Sequence, residues 1–206
     1  VLTVPADVTV ECDNIPAVGA PTATDNCDAD VTITYDGEVR TDGACEDTYT
    51  LTRIWTATDN CNNTHTVSQT INVQDTTPPT IICPANITVT ADLGQPNANI
   101  TIALPSVSDD CDANVTYSND YTGVEDASGV YNLGTTTVTY TATDNCGNTT
   151  QCSFTVTVND EEAPEINCPP TITVTCIDLV PAAYSNYTEF QAAGGSATDN
   201  NGINQA

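Results

Sequence analysis

The stretch WTATDNCNNTHTVSQTINVQDTTPPTIICP, from Trp55 to Pro84, returns eighty-five positions later as YTATDNCGNTTQCSFTVTVNDEEAPEINCP, from Tyr140 to Pro169. Asp59 maps onto Asp144, Cys61 onto Cys146, Pro79 onto Pro164 and Cys83 onto Cys168, all without a gap. A period of this length is too long for one turn of a solenoid and suits a small β domain, so the chain reads as a tandem array. Its 206 residues hold two such units and a remainder.

Three units follow, at 1–75, 76–160 and 161–206. In the first, VLTVPADVTVEC predicts an opening strand, VTITYDGEVR a middle strand, TYTLTRIWTATD a late central strand and THTVSQTINVQ the last. Period-two alternation puts Leu51, Arg53, Trp55 and Ala57 on one face of the late strand. Trp55 is therefore expected in the core, as large aromatics in such strands pack inward. The second unit is expected to repeat this layout, with Val138, Tyr140 and Ala142 on the matching face and Tyr140 in the place of Trp55. The third opens with CPPTITVTC, carries a Tyr- and Ala-rich insertion and reaches ATDNNGIN, where Asn201 stands in place of a cysteine. Two strands do not bury a face unaided. Completion of this unit is expected either from further sequence or from strand addition by another copy.

Thr and Val alternate throughout, Lys and Met are absent, and Pro and Gly punctuate the runs, which is an all-β signature without a helical block. The formal net charge of −26 rests on 28 acidic residues against two Arg and one His. With no basic cluster to displace counterions, nucleic acid and anionic lipid are excluded as partners, and divalent cations are attracted instead. The alternative is that the charge is only a solvation device for a secreted or marine protein. Ten cysteines without CxxC spacing imply oxidising surroundings and disulfides. No signal peptide, membrane-spanning run or anchor motif is legible, and the strand-like first residues read as a mature or excerpted chain. His65 is the only histidine, so neither a histidine-based triad nor a histidine metal site can be assembled, and no catalytic residue is assigned.

In order along the second unit stand DxxPPxIxCPxNITV, an early DDC, the GTTTVTYTATDNCGN strand and turn, and QCSFTVTV. This series resembles the hyalin repeat, or HYR, domain, an immunoglobulin-like module of animal extracellular proteins that also forms long arrays in secreted surface adhesins of Bacteroidota. The first unit departs from it: Val67 stands where QCSF has its cysteine, and Cys12 and Cys45 appear instead. The resemblance implies tandem immunoglobulin-like β-sandwich modules joined end to end, extracellular adhesion or scaffolding, and no catalysis.

In such a sandwich the loop after the second strand and the turn between the last two strands share one end. That placement implies pairing of Cys27 with Cys61 and of Cys111 with Cys146. Cys83 with Cys152 would tie the first strand to the last, leaving Cys12 with Cys45, while Cys168 and Cys176 lack partners. The same end gathers Asp109, Asp110, Asp112 and Asp144, with Asp75 arriving on the linker. The next junction offers Asp160, Glu161, Glu162 and Asp199. Hard oxygen donors from several segments suit Ca²⁺ of modest affinity, and the alternative is that these Asp-Asn pairs only make turns. Asn-X-Thr glycosylation acceptors stand at Asn62, Asn86, Asn99, Asn114, Asn148 and Asn186, and Asp75-Thr76-Thr77 resembles a short O-glycosylation motif. Two functions follow. One is a stiff, calcium-rigidified stalk or fibre whose partners are further copies or flanking repeats of the same chain, displayed at a cell surface or released as a filament. The other is a carbohydrate- or protein-binding adhesion module, supported by the Tyr184–Phe190 insertion.

Overall fold

The computed structural model describes residues 1–172 and 183–199. It is an immunoglobulin-like, almost wholly β arrangement, in agreement with the expected class. The opening run of the first repeat divides into β1 (Leu2–Thr3) and β2 (Val8–Glu11), with Val4–Asp7 between them, and a short 3-10 turn (Cys12–Asn14) follows. After β3 (Thr22–Ala23) come three long strands, β4 (Thr32–Asp42), β5 (Tyr49–Thr58) and β6 (Thr64–Gln74). They form one sheet of order β2-β6-β5-β4, in which β2 runs parallel to β6, while β1 pairs antiparallel with β3. A break in register between Tyr35 and Gly37 marks a bulge in β4, where Gly37 has φ 117°. Glycine reaches this conformation without a Cβ penalty.

The second repeat begins with β7 (Thr80–Ile82) and β8 (Ile87–Thr90), followed by β9 (Asn97–Ile100), β10 (Ser106–Ser108), β11 (Thr116–Asn119) and β12 (Gly129–Asn132). Two long strands close it, β13 (Gly134–Thr143) and β14 (Thr149–Asn159). Its main sheet has the order β11-β13-β14-β8, again with one antiparallel edge, β11 on β13, and one parallel edge, β8 on β14. The other strands pair as β7 with β10 and β9 with β12. The expectation that the second repeat copies the first is corrected here. The strand β12 has no counterpart among the described residues of the first repeat, and β11 stops where β4 continues.

Alternation places the core as read from the sequence. Leu51, Arg53, Trp55 and Ala57 are all buried along β5, and Trp55 is 1% exposed. Val138, Tyr140 and Ala142 are fully buried along β13, and Phe154, Val156 and Val158 along β14. The Tyr140 hydroxyl donates to the Glu125 carbonyl at 3.1 Å, giving the ring's polar end a partner. In the first repeat the apolar core falls into two clusters, Leu2-Trp55-Ala57 and Leu51-Ile71-Val73. The buried side chains of Arg53 and Gln69 belong to neither of them.

Compactness does not divide where the sequence repeats. One unit comprises Val1–Cys83, Leu104–Glu125 and Thr139–Cys152, and the other comprises Pro84–Ala103, Asp126–Val138 and Ser153–Ala206. The first repeat and the loops of the second that follow β10 and β13 therefore belong to one compact body. The other unit includes β15 (Glu165–Asn167) antiparallel to β16 (Ser196–Thr198) and a six-residue helix, α1 (Tyr187–Ala192). At six residues the helix leaves the all-β class unchanged. Asn186 caps it by accepting the Glu189 N–H at 3.0 Å.

Candidate functional site

Each repeat builds the same pair of loops from the same hydrogen bonds. In the second, the Asp109 carboxylate accepts the N–H groups of Cys111 and Asp112 at 2.8 and 2.9 Å, which folds an Asx turn around the cysteine. Asp112 spends one oxygen on the Asn114 N–H and the other on the Asn145 N–H, tying this loop to the β13–β14 turn. There Asp144 accepts the Cys146 and Asn148 N–H groups and the Asn148 amide at 2.9, 2.8 and 2.8 Å. In the first repeat Asp25 accepts from Cys27 and Asp28, Asp28 from Asp30 and Asn60, and Asp59 from Cys61 and Asn63. The sequence pattern Asp-x-Cys encodes these loops directly, because a carboxylate two residues upstream is placed to receive the cysteine's own N–H.

What the two sets of loops touch is different. Cys111 is bonded to Cys12, and Cys146 to Cys45, with Cα separations of 5.8 and 5.2 Å. Cys83 is bonded to Cys152. The pairings expected within one end, Cys111 with Cys146 and Cys12 with Cys45, are therefore corrected. Cys12 follows β2 and Cys45 lies in the turn after β4, so both belong to the end at which the first repeat leaves off. The short linker after β6 brings that end onto the loops of the second repeat, and a cystine forms between whichever thiols lie within its narrow Cα range. Two hydrogen bonds run the same way: the Asn145 amide donates to Asp47 at 2.7 Å, and the Asn148 amide to the Asp75 carbonyl at 3.2 Å. Cys27 and Cys61, expected to pair with each other, are both free thiols on the surface, as is Cys168. Cys176 lies outside the described residues.

The acidic residues sit at this same joint. Asp75 is 6% exposed, and one oxygen of its carboxylate and one of Asp109 are buried without a hydrogen-bond partner. One carboxylate oxygen of each residue and the Cys111 sulfur lie within 4.8 Å of one another. The sulfur is committed to its cystine, which leaves two carboxylates as the donors. Burial pushes the Asp75 carboxyl above its ordinary range. The Thr77 N–H opposes this, and the charges of Asp109, Asp144 and Asp47 add to it. Asp75, Asp109 and Asp144 are thus brought to one place. Asp112 is buried and occupied by backbone N–H groups, and Asp110 is exposed. Asp47 was missed by the sequence reading. Its only signal was its position two residues after Cys45, which becomes informative once Cys45 is known to meet Cys146.

At the later junction, Asp160 accepts the Glu162 N–H and Glu162 accepts the Gly94 N–H. A cavity there is lined by Gly94, Glu162, Ala163, Glu165, Thr198 and Asp199, while Asp160 and Glu161 are exposed outside that lining. Of the glycosylation acceptors, Asn62, Asn86, Asn99, Asn114 and Asn186 are exposed. Asn148 is half-buried, with its amide engaged at Asp144 and Asp75. Among the described residues no helix is long and apolar enough to cross a membrane.

Known proteins match along the same lines. The profile of the HYR domain matches residues 74–158, and that of the HYR-like domain with 4 cysteines matches residues 1–73. Hyalin from Strongylocentrotus purpuratus is 36% identical over 121 residues, covering 55% of this chain and 10% of that protein. Hyalin from Lytechinus variegatus is 33% identical over 156 residues, covering 72% of this chain and 27% of that protein. The chain thus spans a minor part of either hyalin. Among solved structures, the protocadherin Gamma B7 extracellular cadherin domains 1-4 share 18% identity over 81% of this chain and 53% of that one, at TM-score 0.39. Human CDH23 EC21-23 shares 15% over 79% of this chain and 70% of that one, at TM-score 0.38. HYR domains are non-enzymatic modules of structural or adhesive extracellular proteins. This chain therefore carries an HYR-like domain with 4 cysteines over residues 1–73, followed directly by an HYR domain over residues 74–158.

Proposed function

We propose that this chain is a load-bearing segment of a secreted, surface-displayed array, in which units 1–75, 76–160 and 161–206 are successive HYR-type modules and each junction resists bending. The observation that carries this reading is the pair of cystines, Cys12–Cys111 and Cys45–Cys146, joining the end of one repeat to two separate loops of the next. One bond would leave a swivel; two bonds from different strands' ends remove the rotation about it. The proline pair Pro78-Pro79 restricts the connecting chain further.

The acidic joint fits Ca²⁺. Two carboxylate oxygens buried without a hydrogen-bond partner are costly to desolvate and are the donors a hard cation requires. Asp75 and Asp109 would hold the ion, with Asp144 and Asp47 supplying charge close by. The ion would neutralise their mutual repulsion and stiffen the joint. Partners are further repeats of the same kind, in the same polypeptide or another copy.

The aromatic insertion supports structure over ligand capture. Phe190 stacks with Tyr187 at 6.0 Å between centroids, and the Tyr187 hydroxyl is engaged by the Ala197 backbone. A side chain on Gly195 would collide with the Phe190 ring, so that ring is seated on backbone. These rings are occupied in holding the chain together.

Small-angle scattering of the chain, native, reduced, and with calcium or a chelator, tests this function. Reduction is expected to broaden the distribution of dimensions, and chelation to do so by less. Unchanged dimensions under both treatments, or strong binding on a glycan array, would overturn it.

A further inference from the structure

The two exposed thiols of the first repeat occupy the positions that are bonded in the second. Cys27 stands in the Asp-x-Cys-Asp loop as Cys111 does, and Cys61 in the last turn as Cys146 does. The surrounding geometry is already complete. The Asn60 N–H reaches Asp28 at 2.8 Å, as the Asn145 N–H reaches Asp112 at 2.9 Å, so the two cysteine-bearing loops are tied together in both repeats. The difference is cover: Cys27, Cys61, Asp25 and Asn63 are exposed, whereas Cys111, Cys146, Asp109 and Asn148 are half-buried beneath the end of the preceding repeat.

We propose that Cys27 and Cys61 are the receiving half of a two-cystine joint, and that their partner is the Cys12/Cys45-type pair at the end of another HYR-like repeat. Cys27 takes the Cys12-type sulfur and Cys61 the Cys45-type sulfur, as Cys111 and Cys146 do. Each bridge breaks two S–H bonds and forms one S–S bond. Two protons and two electrons pass to a disulfide oxidant such as oxidised glutathione, which leaves as two thiols. The Asp25 and Asp59 loops need not rearrange, since their hydrogen bonds are those of the bonded form.

The sequence also carries a second cysteine of the Cys12 kind. The motif VTVEC ending at Cys12 returns as ITVTC ending at Cys176, whereas the second repeat has ITVTA, ending at Ala91. The repeat that receives both bonds is therefore the one that has lost the donating cysteine, and the next regains it. A second copy of this chain thus offers Cys176 to Cys27. A repeat earlier in one longer polypeptide offers the same chemistry in cis. The inference deepens the array reading and rests on it only for the partner's identity.

The test mixes ¹⁵N-labelled and unlabelled full chains, oxidises them with oxidised glutathione, and maps cystines by mass spectrometry after Glu-C digestion without reduction. The expected result is Cys27 bonded to Cys176 in mixed-isotope peptides, with Cys12–Cys111 and Cys45–Cys146 intact. Linked species on a non-reducing gel should fall at least tenfold in Cys27→Ser and persist in Cys61→Ser, since no cysteine follows Cys176 in this sequence. Mapping of the parent polypeptide identifies the cis arrangement by a bridge from Cys27 to an earlier repeat. A bridge from Cys27 to Cys61 or to Cys168 overturns the proposal. So does recovery of Cys27 as a free thiol in both preparations. Stiffness of the isolated chain is independent of these bridges, so the array function can stand while this inference falls.

Discussion

Residues 36–48 and 120–133 connect equivalent strands with nearly equal lengths of chain, and they take different routes. In the first repeat the chain stays in its sheet: β4 runs on to Asp42 beside β5, and the turn carries Cys45 to its partner. In the second, β11 stops at Asn119, and the chain crosses to pair β12 with β9. The switch sits at one aligned position, Tyr35 against Asn119. The Asn119 side chain accepts the Tyr121 and Thr122 N–H groups at 2.9 and 2.8 Å and donates to the Thr122 hydroxyl and the Val124 carbonyl. That closes a turn where Tyr35 continues a strand and packs on Trp55, with ring centroids 5.5 Å apart. Gly123, with φ 78°, completes the turn.

The two routes require different cores. Where the second repeat has Val138 and Phe154, the first has Arg53 and Gln69, at the same places in β5 and β6. Arg53 is 4% exposed and donates to Glu38 at 2.7 Å and to the carbonyls of Pro16 and Ala17 at 2.8 and 3.1 Å. It pins the irregular 13–21 segment over the face that lacks a β12-type strand. A guanidinium can satisfy three acceptors from one position, which an apolar residue cannot. The lesson is that an irregular cover requires a polar fastening, whereas a strand pair can be covered by apolar packing alone.

The largest test of this contrast is Arg53→Ala. Removing a buried cation strands Glu38 and two carbonyls, and the expected loss is about 3–5 kcal/mol by chemical denaturation. Arg53→Val, which copies the second repeat's residue, is expected to fare no better, and a stable Arg53→Val would break the comparison. Next in size, Cys45→Ser opens a cystine that closes a separation of 101 residues. It should cost about 2–4 kcal/mol and speed cleavage of the linker around Asp75 by Asp-N protease. Asn119→Ala removes the turn's acceptor and donor together, with an expected loss of about 1–3 kcal/mol. Hydrogen exchange should rise across residues 119–125 and leave 35–42 unchanged.

The smallest effect concerns the acidic joint. The Asp75 pKa is raised in the folded chain, so as pH rises through this range the unfolded state releases its proton first, and this group opposes folding. Its penalty is absent at low pH and present at neutral pH. Asp75→Asn keeps an acceptor for the Thr77 N–H and is expected to raise Tm at pH 7 in chelator while flattening that part of the pH profile. Adding calcium should reverse the order, because the parent carboxylate then has an ion to bind. A mutant that gains from calcium as much as the parent does would remove Asp75 from the site.

Much of this was legible in the chain. Strand β6 runs from Thr64 to Gln74 as the THTVSQTINVQ pattern indicates, and the buried face of β5 follows from its alternation. The Asp-x-Cys loops were legible as well, because an Asx turn is a contact between residues two apart. The repeat itself pointed to Asp75, Asp109, Asp110, Asp112 and Asp144 at one end, of which the fold brings Asp75, Asp109 and Asp144 together, while Asp110 is exposed and Asp112 is taken up by backbone N–H groups. The fork at Tyr35 and Asn119 was not, since either residue ends or continues a strand depending on what covers the sheet. Asp47 and the sulfur partners of Cys111 and Cys146 were hidden for a related reason. They arrive from the preceding repeat, and a repeat viewed alone pairs its cysteines with each other.

The sequence by itself determined what depends on near neighbours: strand period, turn chemistry, the pattern of inward residues and the strong negative charge. Only the tertiary structure decided what depends on distant ones. Cys12 and Cys111 lie 99 residues apart along the chain and 5.8 Å apart at their Cα atoms, and no local pattern encodes that distance. A cystine, a buried guanidinium with acceptors on another segment, and two carboxylates crowded at a joint are each set by proximity in space, which the fold creates.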